Sequence, residues 1–167
     1  PHFILQVDAD TLAATPPVRV TEVHRAGLRV VGENIQELIP PRSDATVGDW
    51  LLLDAARPQD SILLERKSLF KRRAPGTDRQ IQLIAANVDT VFIVSSCNHD
   101  FNIARLERYI ALAFEADVDP VIILTKSDLS DTPEDYERAA WSISDRVPVI
   151  TLDARGSAPK AKLAQWC

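Results

Sequence analysis

The sequence predicts two fold types in tandem, a small β-barrel in front and an α/β segment with a parallel sheet behind it. Three observations predict this. Short β-like runs broken by turns fill residues 18–64, a basic stretch rich in turn formers follows, and from Ile81 onward strand-like and helix-like periods alternate.

The chain has 167 residues, 46% of them hydrophobic, which suffices for one domain or two small ones. No apolar run is long enough to span a membrane and the N-terminus has no basic-then-apolar leader, so a soluble cytoplasmic protein with no membrane partner is expected. A monomer is expected. Cys97 and Cys167 stand far apart with no Cys-x-x-Cys pair, which predicts reduced thiols rather than a disulfide framework or a zinc site. Cys97 and His99 read as a core thiol and a loop imidazole before they read as metal ligands, so no metal site is expected in this chain. Methionine is absent, even at position 1, which points to a piece of a longer chain.

Net charge is −5, which argues against wholesale electrostatic attraction to nucleic acid. The charge is uneven, however. Residues 1–80 carry 11 Lys/Arg and 11 Asp/Glu, net 0, whereas residues 81–167 carry 8 and 13, net −5. Five cations, Arg66, Lys67, Lys71, Arg72 and Arg73, follow the single acid Glu65 in one short stretch.

The front strands are predicted at residues 18–24, 28–31, 37–39, 50–53 and 61–64, with breaks at Ala26-Gly27, Pro40-Pro41, Gly48-Asp49 and Arg57-Pro58. In the first, Val18, Val20 and Val23 are expected to face inward. Five short strands at this spacing suit a barrel of the oligonucleotide-binding type over residues 1–65. On such a barrel Arg19, His24, Arg25 and Arg29 are candidates for RNA phosphate contact, and His24 for stacking on a base. The plainer reading of these four is a solvated outer face. Trp50 reads as core before it reads as a stacking platform. Residues 66–80 read as a basic linker, either a charged tether or a strip lying on RNA phosphates.

Residues 81–167 form the α/β segment. A buried strand is predicted at 88–95, containing Val91, Phe92, Ile93 and Val94. Asp100 or Asn102 caps a helix in which Ile103, Leu106, Ile110 and Ala113 recur on one stripe. A strand at 120–124 follows, then a helix opened by Thr132-Pro133-Glu134-Asp135 and running to about residue 142, a strand at 147–152 and a closing helix at 157–166. Strands alternating with helices imply parallel pairing through right-handed crossovers, with ligands at the carboxyl ends: after Val94, at Thr125-Lys126-Ser127-Asp128, and after Leu152.

The second of these ends carries the chemistry. Val121-Ile122-Ile123-Leu124 stops abruptly in Thr-Lys-x-Asp. A carboxylate has two acceptor oxygens and no donor, so Asp128 can take parallel hydrogen bonds from the N1–H and exocyclic amine of guanine. Adenine offers no such pair, and a site left unpaired by the wrong ligand rejects it by about 10⁴–10⁵-fold. Lys126 can lay its stem along the base or brace a phosphate loop, and the Thr125 hydroxyl can tie strand end to loop. Taken alone, the tetrapeptide also reads as a polar turn with a helix-capping Asp.

Its surroundings favour the chemical reading. Gln80-Ile81-Gln82-Leu83-Ile84-Ala85-Ala86-Asn87-Val88-Asp89-Thr90-Val91-Phe92-Ile93-Val94, then Leu106-Glu107-Arg108-Tyr109, then Thr125-Lys126-Ser127-Asp128-Leu129 together resemble the circularly permuted ribosome-associated GTPases of the RsgA (YjeQ) family, in which the guanine motif precedes the phosphate loop. The resemblance runs from Val18 to the last residue, Ala-Ala-Asn-Val-Asp being its most specific part. It implies an RNA-facing barrel entered by the Val47-Gly48-Asp49-Trp50 turn, a basic linker on rRNA, and the guanine-recognising half of a P-loop-GTPase-like domain. It further implies a parent GTP hydrolase using GTP/GDP with Mg²⁺, zinc in a C-terminal domain outside this chain, and the small ribosomal subunit and its rRNA as partners late in subunit maturation.

The sequence departs from that family in three places. Thr125 stands where many GTPases have Asn, so a side-chain contact to the base N7 is not expected. Asp153 stands where the family usually has Ser, which leaves the backbone N–H of Ala154 as the donor to guanine O6 without the usual side-chain support. No Gly-x-x-x-x-Gly-Lys-Ser/Thr loop and no following Asp-x-x-Gly occurs, so this chain alone is expected to have no catalytic residues and no hydrolysis. Leu163-Ala164-Gln165-Trp166-Cys167 reads as the lead into the strand before that loop. The rival expectation is a non-enzymatic RNA-binding adaptor whose α/β part is only a scaffold.

Overall fold

The computed structural model describes residues 7–73 and 81–166. Two compact units divide the chain, Pro1–Val88 and Asp89–Cys167.

In the first unit a short helix, α1 (Ala9–Ala14), is capped by Asp8, whose side chain accepts from the Thr11 N–H. An antiparallel sheet follows, made of β1 (Pro17–His24), β2 (Gly27–Gly32), β3 (Ile35–Ile39), β4 (Trp50–Leu52) and β5 (Ile62–Leu63), in the order β3-β2-β1-β4-β5. The order leaves β3 and β5 as edges among the described residues, so the barrel expected is present as a barrel-like sheet that is not closed. Alternation along β1 and β2 puts Val18, Val20, Leu28 and Val30 into a core with Ile39, Ala45, Leu51 and Leu53. Val23 is not among them. A bulge between Val20 and Glu22 breaks the period, and β1 is exposed from Thr21 on. Trp50 is half-buried, packed against the small cluster of Leu52 and Leu64.

The stretch expected as a linker is partly strand. Strand β6 (Leu69–Arg73) pairs antiparallel with β7 (Ile81–Ala86), and both belong to the first unit, so the compact boundary lies at Val88/Asp89 rather than at residues 66–80. Residues 74–80 and the Arg73 side chain lie outside what is described.

Asn87, directly after β7, is the fastener of this hairpin. It sits in the left-handed region at φ 54, its side-chain amide donates to the Gly48 carbonyl at 3.0 Å and its side-chain oxygen accepts the Lys67 N–H at 2.9 Å. The Ser68 hydroxyl donates to the Val88 carbonyl at 2.7 Å and accepts the Val88 N–H at 2.8 Å. Gly48, at φ 92, lies so close that a Cβ would meet the Ala86 carbonyl oxygen at 2.0 Å. The Ala-Ala-Asn-Val part of the motif thus clips β7 to the turn that leads into β4.

In the second unit β8 (Thr90–Ser96), β9 (Asp119–Thr125) and β10 (Val149–Thr151) form a parallel sheet in the order β10-β9-β8. Helix α2 (Ile103–Glu115) is capped by Asn102, which accepts from the Arg105 N–H at 2.9 Å. Its stripe buries Leu106, Ile110 and Ala113, as the spacing predicts. Helix α3 (Pro133–Trp141) begins with Pro133 and two acids in its first turn, and α4 (Ala158–Leu163) runs into a 3₁₀ turn at Ala164–Trp166. Leu106, Ile110, Ile122, Leu124, Ala140, Val147 and Val149 are buried together, with Phe101 and Tyr136 meeting edge to face at 5.2 Å beside them.

Central β9 is buried from Pro120 to Leu124, which is why it reads as a continuous apolar run. Strand β8 does not match the buried strand expected. It pairs only with β9 among the described residues, and while Ile93 and Ser95 are buried, Val94 is 63% exposed.

Candidate functional site

The carboxyl end of β9 is built by backbone first. The Thr125 hydroxyl donates to the Ser95 carbonyl at 3.0 Å, and the Thr125 carbonyl accepts the Cys97 N–H at 2.9 Å, locking the tip of β9 to β8. Lys126 then takes a left-handed conformation, φ 58 and ψ 30, which turns the chain sharply into a 3₁₀ turn at Ser127–Leu129. That turn brings Asp128 back over the strand end.

Thr125, Lys126, Asp128, Leu129, Asp153, Ala154 and Arg155 line a cleft of about 280 Å³. Five of the six residues expected at this site meet there. Ser127 does not line it and serves the turn, its carbonyl accepting the Ser130 N–H. Lys126 and Thr125 also border a neighbouring cleft of about 460 Å³ with Ser96, Arg105 and Tyr109. Asp128 as a residue is exposed, but its side chain is only 28% so, a carboxylate open to a ligand on one side.

Arg155 has no role in the sequence-based expectations. Its guanidinium donates to Asp128 Oδ2, and its backbone N–H donates to Asp153 Oδ1 at 2.9 Å. That backbone bond, with the Arg155 guanidinium behind it, holds the Asp153 carboxyl below its usual range. The signal available was an Arg within a short turn at the end of a parallel strand, beside an acid. Leu129, exposed on the rim, stands in the sequence at the end of the family-like stretch with no role assigned to it.

The RNA candidates fall into distinct environments. Arg66 is withdrawn from the basic surface, contrary to expectation: it forks onto Asp49, which has no exposed surface, with Nε to Oδ1 at 2.7 Å and Nη2 to Oδ2 at 2.8 Å. Asp49 also accepts the Thr46 N–H at 2.7 Å, so this pair fixes the turn into β4. His24 and Arg29 share Glu22, at 2.7 Å and 3.3 Å, and the hydrogen bond from His24 holds the Glu22 carboxyl below its usual range. Arg19 lies over the Trp50 ring at 5.8 Å, in a groove of about 890 Å³ with Thr21, Val31 and Asn34. Arg25 and Lys71 are exposed, and Arg72, also exposed, donates to the Gln82 side chain at 2.9 Å. The Lys67 backbone is held by Asn87.

Cys97 is buried and burial pushes its thiol pKa up, while His99 lies 3.5 Å from Asp100. Among the described residues no group of three or more His, Cys, Asp or Glu side chains could hold a metal ion. No helix among them is long and apolar enough to cross a membrane.

A parallel sheet with a Thr-Lys-x-Asp turn at the tip of its central strand, preceded in the chain by a barrel-like β unit, is a fold shared with a solved circularly permuted GTPase. The fold matches the crystal structure of YjeQ from Thermotoga maritima at TM-score 0.65 and 20% identity, covering 90% of this chain and 56% of that one. It also matches YloQ, a circularly permuted GTPase, at TM-score 0.60. The RsgA GTPase family model matches residues 63–167, and the chain belongs to that family. It is 41% identical to the small ribosomal subunit biogenesis GTPase RsgA 2 of Vibrio parahaemolyticus, over 100% of this chain and 47% of the relative. It is 45% identical to the RsgA of Mesorhizobium japonicum, over 90% of this chain and 45% of the relative. The chain therefore spans about half the length of the curated relatives it matches.

Proposed function

We propose that this chain is the RNA-binding and guanine-recognising part of a GTP hydrolase that acts on the small ribosomal subunit late in its maturation. The observation that carries the reading is the Asp128 carboxylate, part-buried at the tip of β9 and facing a cleft bounded by Asp153 and Ala154. Asp128 takes the N1–H and exocyclic amine of guanine, the Ala154 N–H donates to O6, and Lys126 supports the base or the phosphate loop beside it. Thr125 acts through the strand rather than on the base, since its hydroxyl is bound to Ser95.

Hydrolysis belongs to the whole protein. It needs a phosphate loop and Mg²⁺, neither of which has its residues here, and the zinc expected of the family likewise finds no ligand set among the described residues. On the RNA side, Arg19 stacked on Trp50, with Arg25, Lys71 and Arg72, offers cations and an aromatic face suited to rRNA. Arg73 and Lys67 extend that set in the chain; His24 and Arg29 reach RNA only by sharing or leaving Glu22. A cytoplasmic monomer completes the reading. The relatives are named as GTPases, which disfavours a non-enzymatic RNA-binding adaptor whose α/β part is only a scaffold.

The test is a GDP titration of the complete protein and of its Asp128→Asn variant. Loss of charge-assisted bonds worth about 1.5–3 kcal/mol predicts about 10- to 150-fold weaker GDP binding. Unchanged affinity refutes the reading.

A further inference from the structure

We propose that Arg155 is an internal stand-in for guanine, a displaceable partner of the base-reading carboxylate whose competition sets part of the affinity for guanine nucleotides. The inference rests on the base-reading role proposed for Asp128.

A guanidinium presents planar N–H donors in a fixed fork, chemically like the N1–H and exocyclic amine edge that guanine presents to a carboxylate. Arg155 uses one of those donors on Asp128 Oδ2, an oxygen that the base also needs. The Arg155 guanidinium is not there by reach alone. Asp153 Oδ1 accepts both the Arg155 backbone N–H at 2.9 Å and, more loosely, Nε at 3.4 Å, which aims the side chain across the cleft at Asp128. Asp153 thus acts on Arg155 and only through it on the base. The two partners differ in freedom: Arg155 is 71% exposed and can move out into water, whereas Asp128 at 28% cannot. An exposed pair of this kind is weak, so the competition weakens base binding by no more than about fivefold.

The experiment is an NMR titration of the complete ¹⁵N-labelled protein with GMP, using wild type, Arg155→Gln and Asp128→Asn; the spectra report folding directly. Arg155→Gln is expected to bind GMP about two- to fivefold tighter. That advantage shrinks as salt rises from about 0.05 M to about 1 M, because screening releases the pair in wild type. If Asp128→Asn loses GMP while Arg155→Gln binds it no better than wild type, or worse, Arg155 does not compete and only this inference falls. If Asp128→Asn binds GMP like wild type, or wild type shows no response to GMP, the base-reading role falls and this inference with it.

Discussion

At Asp49 a carboxylate without exposed surface is satisfied by two nitrogens of Arg66 and one backbone N–H. Removing Arg66 strands the Asp49 carboxylate without its counter-charge in the interior, so Arg66→Ala is expected to destabilise the first unit by about 3–5 kcal/mol in urea unfolding. Replacing both partners with apolar residues of similar volume is expected to cost much less. The same pair shows a limit of reading residues in sequence. Arg66 stands within a run of cations and reads as one of them; its partner is 17 positions away, and no local pattern announces it. Asp128 is legible because a polar tetrapeptide ending an apolar run is itself local, and the strand direction says where it must lie. Arg155 is not, because its meaning depends on an acid 27 positions earlier.

At the scale of elements, the β6–β7 hairpin carries the largest departure from expectation. Lys71, Arg72 and Arg73 with Ala74-Pro75-Gly76 look like a tether, since charges and turn formers are poor strand signals. Lys71, Arg72 and Arg73 become strand because β7 supplies a partner and Asn87, Ser68 and Gly48 fasten it. Asn87→Ala removes the side-chain bonds to Gly48 and Lys67 and is expected to cost about 1–3 kcal/mol, read by chemical denaturation. Gly48→Ala is expected to lower stability as well, because its Cβ would fall 2.0 Å from the Ala86 oxygen at a positive φ. Helices α2 and α3 and the central strand β9 are legible nearly to the residue, because an amphipathic stripe, helix-start residues and a strand buried on both faces leave strong local signals, whereas the short α1 is not foreseen. Strand β8, paired on one side among the described residues, and the bulged β1 are not, because one-sided pairing and a register shift leave no such trace.

Across the whole molecule the charge is uneven, net 0 over residues 1–80 against −5 over residues 81–167, and the proposed function gives the two parts different partners. The cations exposed on the first unit suit phosphates, and a double Lys71→Glu, Arg72→Glu variant is expected to bind rRNA more weakly. The slope of log affinity against log salt should become shallower by about 0.7–0.9 for each phosphate no longer neutralised, measured by filter binding across a salt series. The second unit carries the central claim, that one carboxylate chooses the base. Comparing GMP with IMP, which lacks the exocyclic amine, tests it most directly, in wild type and in Asp128→Asn. The account predicts that wild type prefers GMP by about tenfold or more and that the variant loses the preference. A preference that survives intact in Asp128→Asn would contradict it.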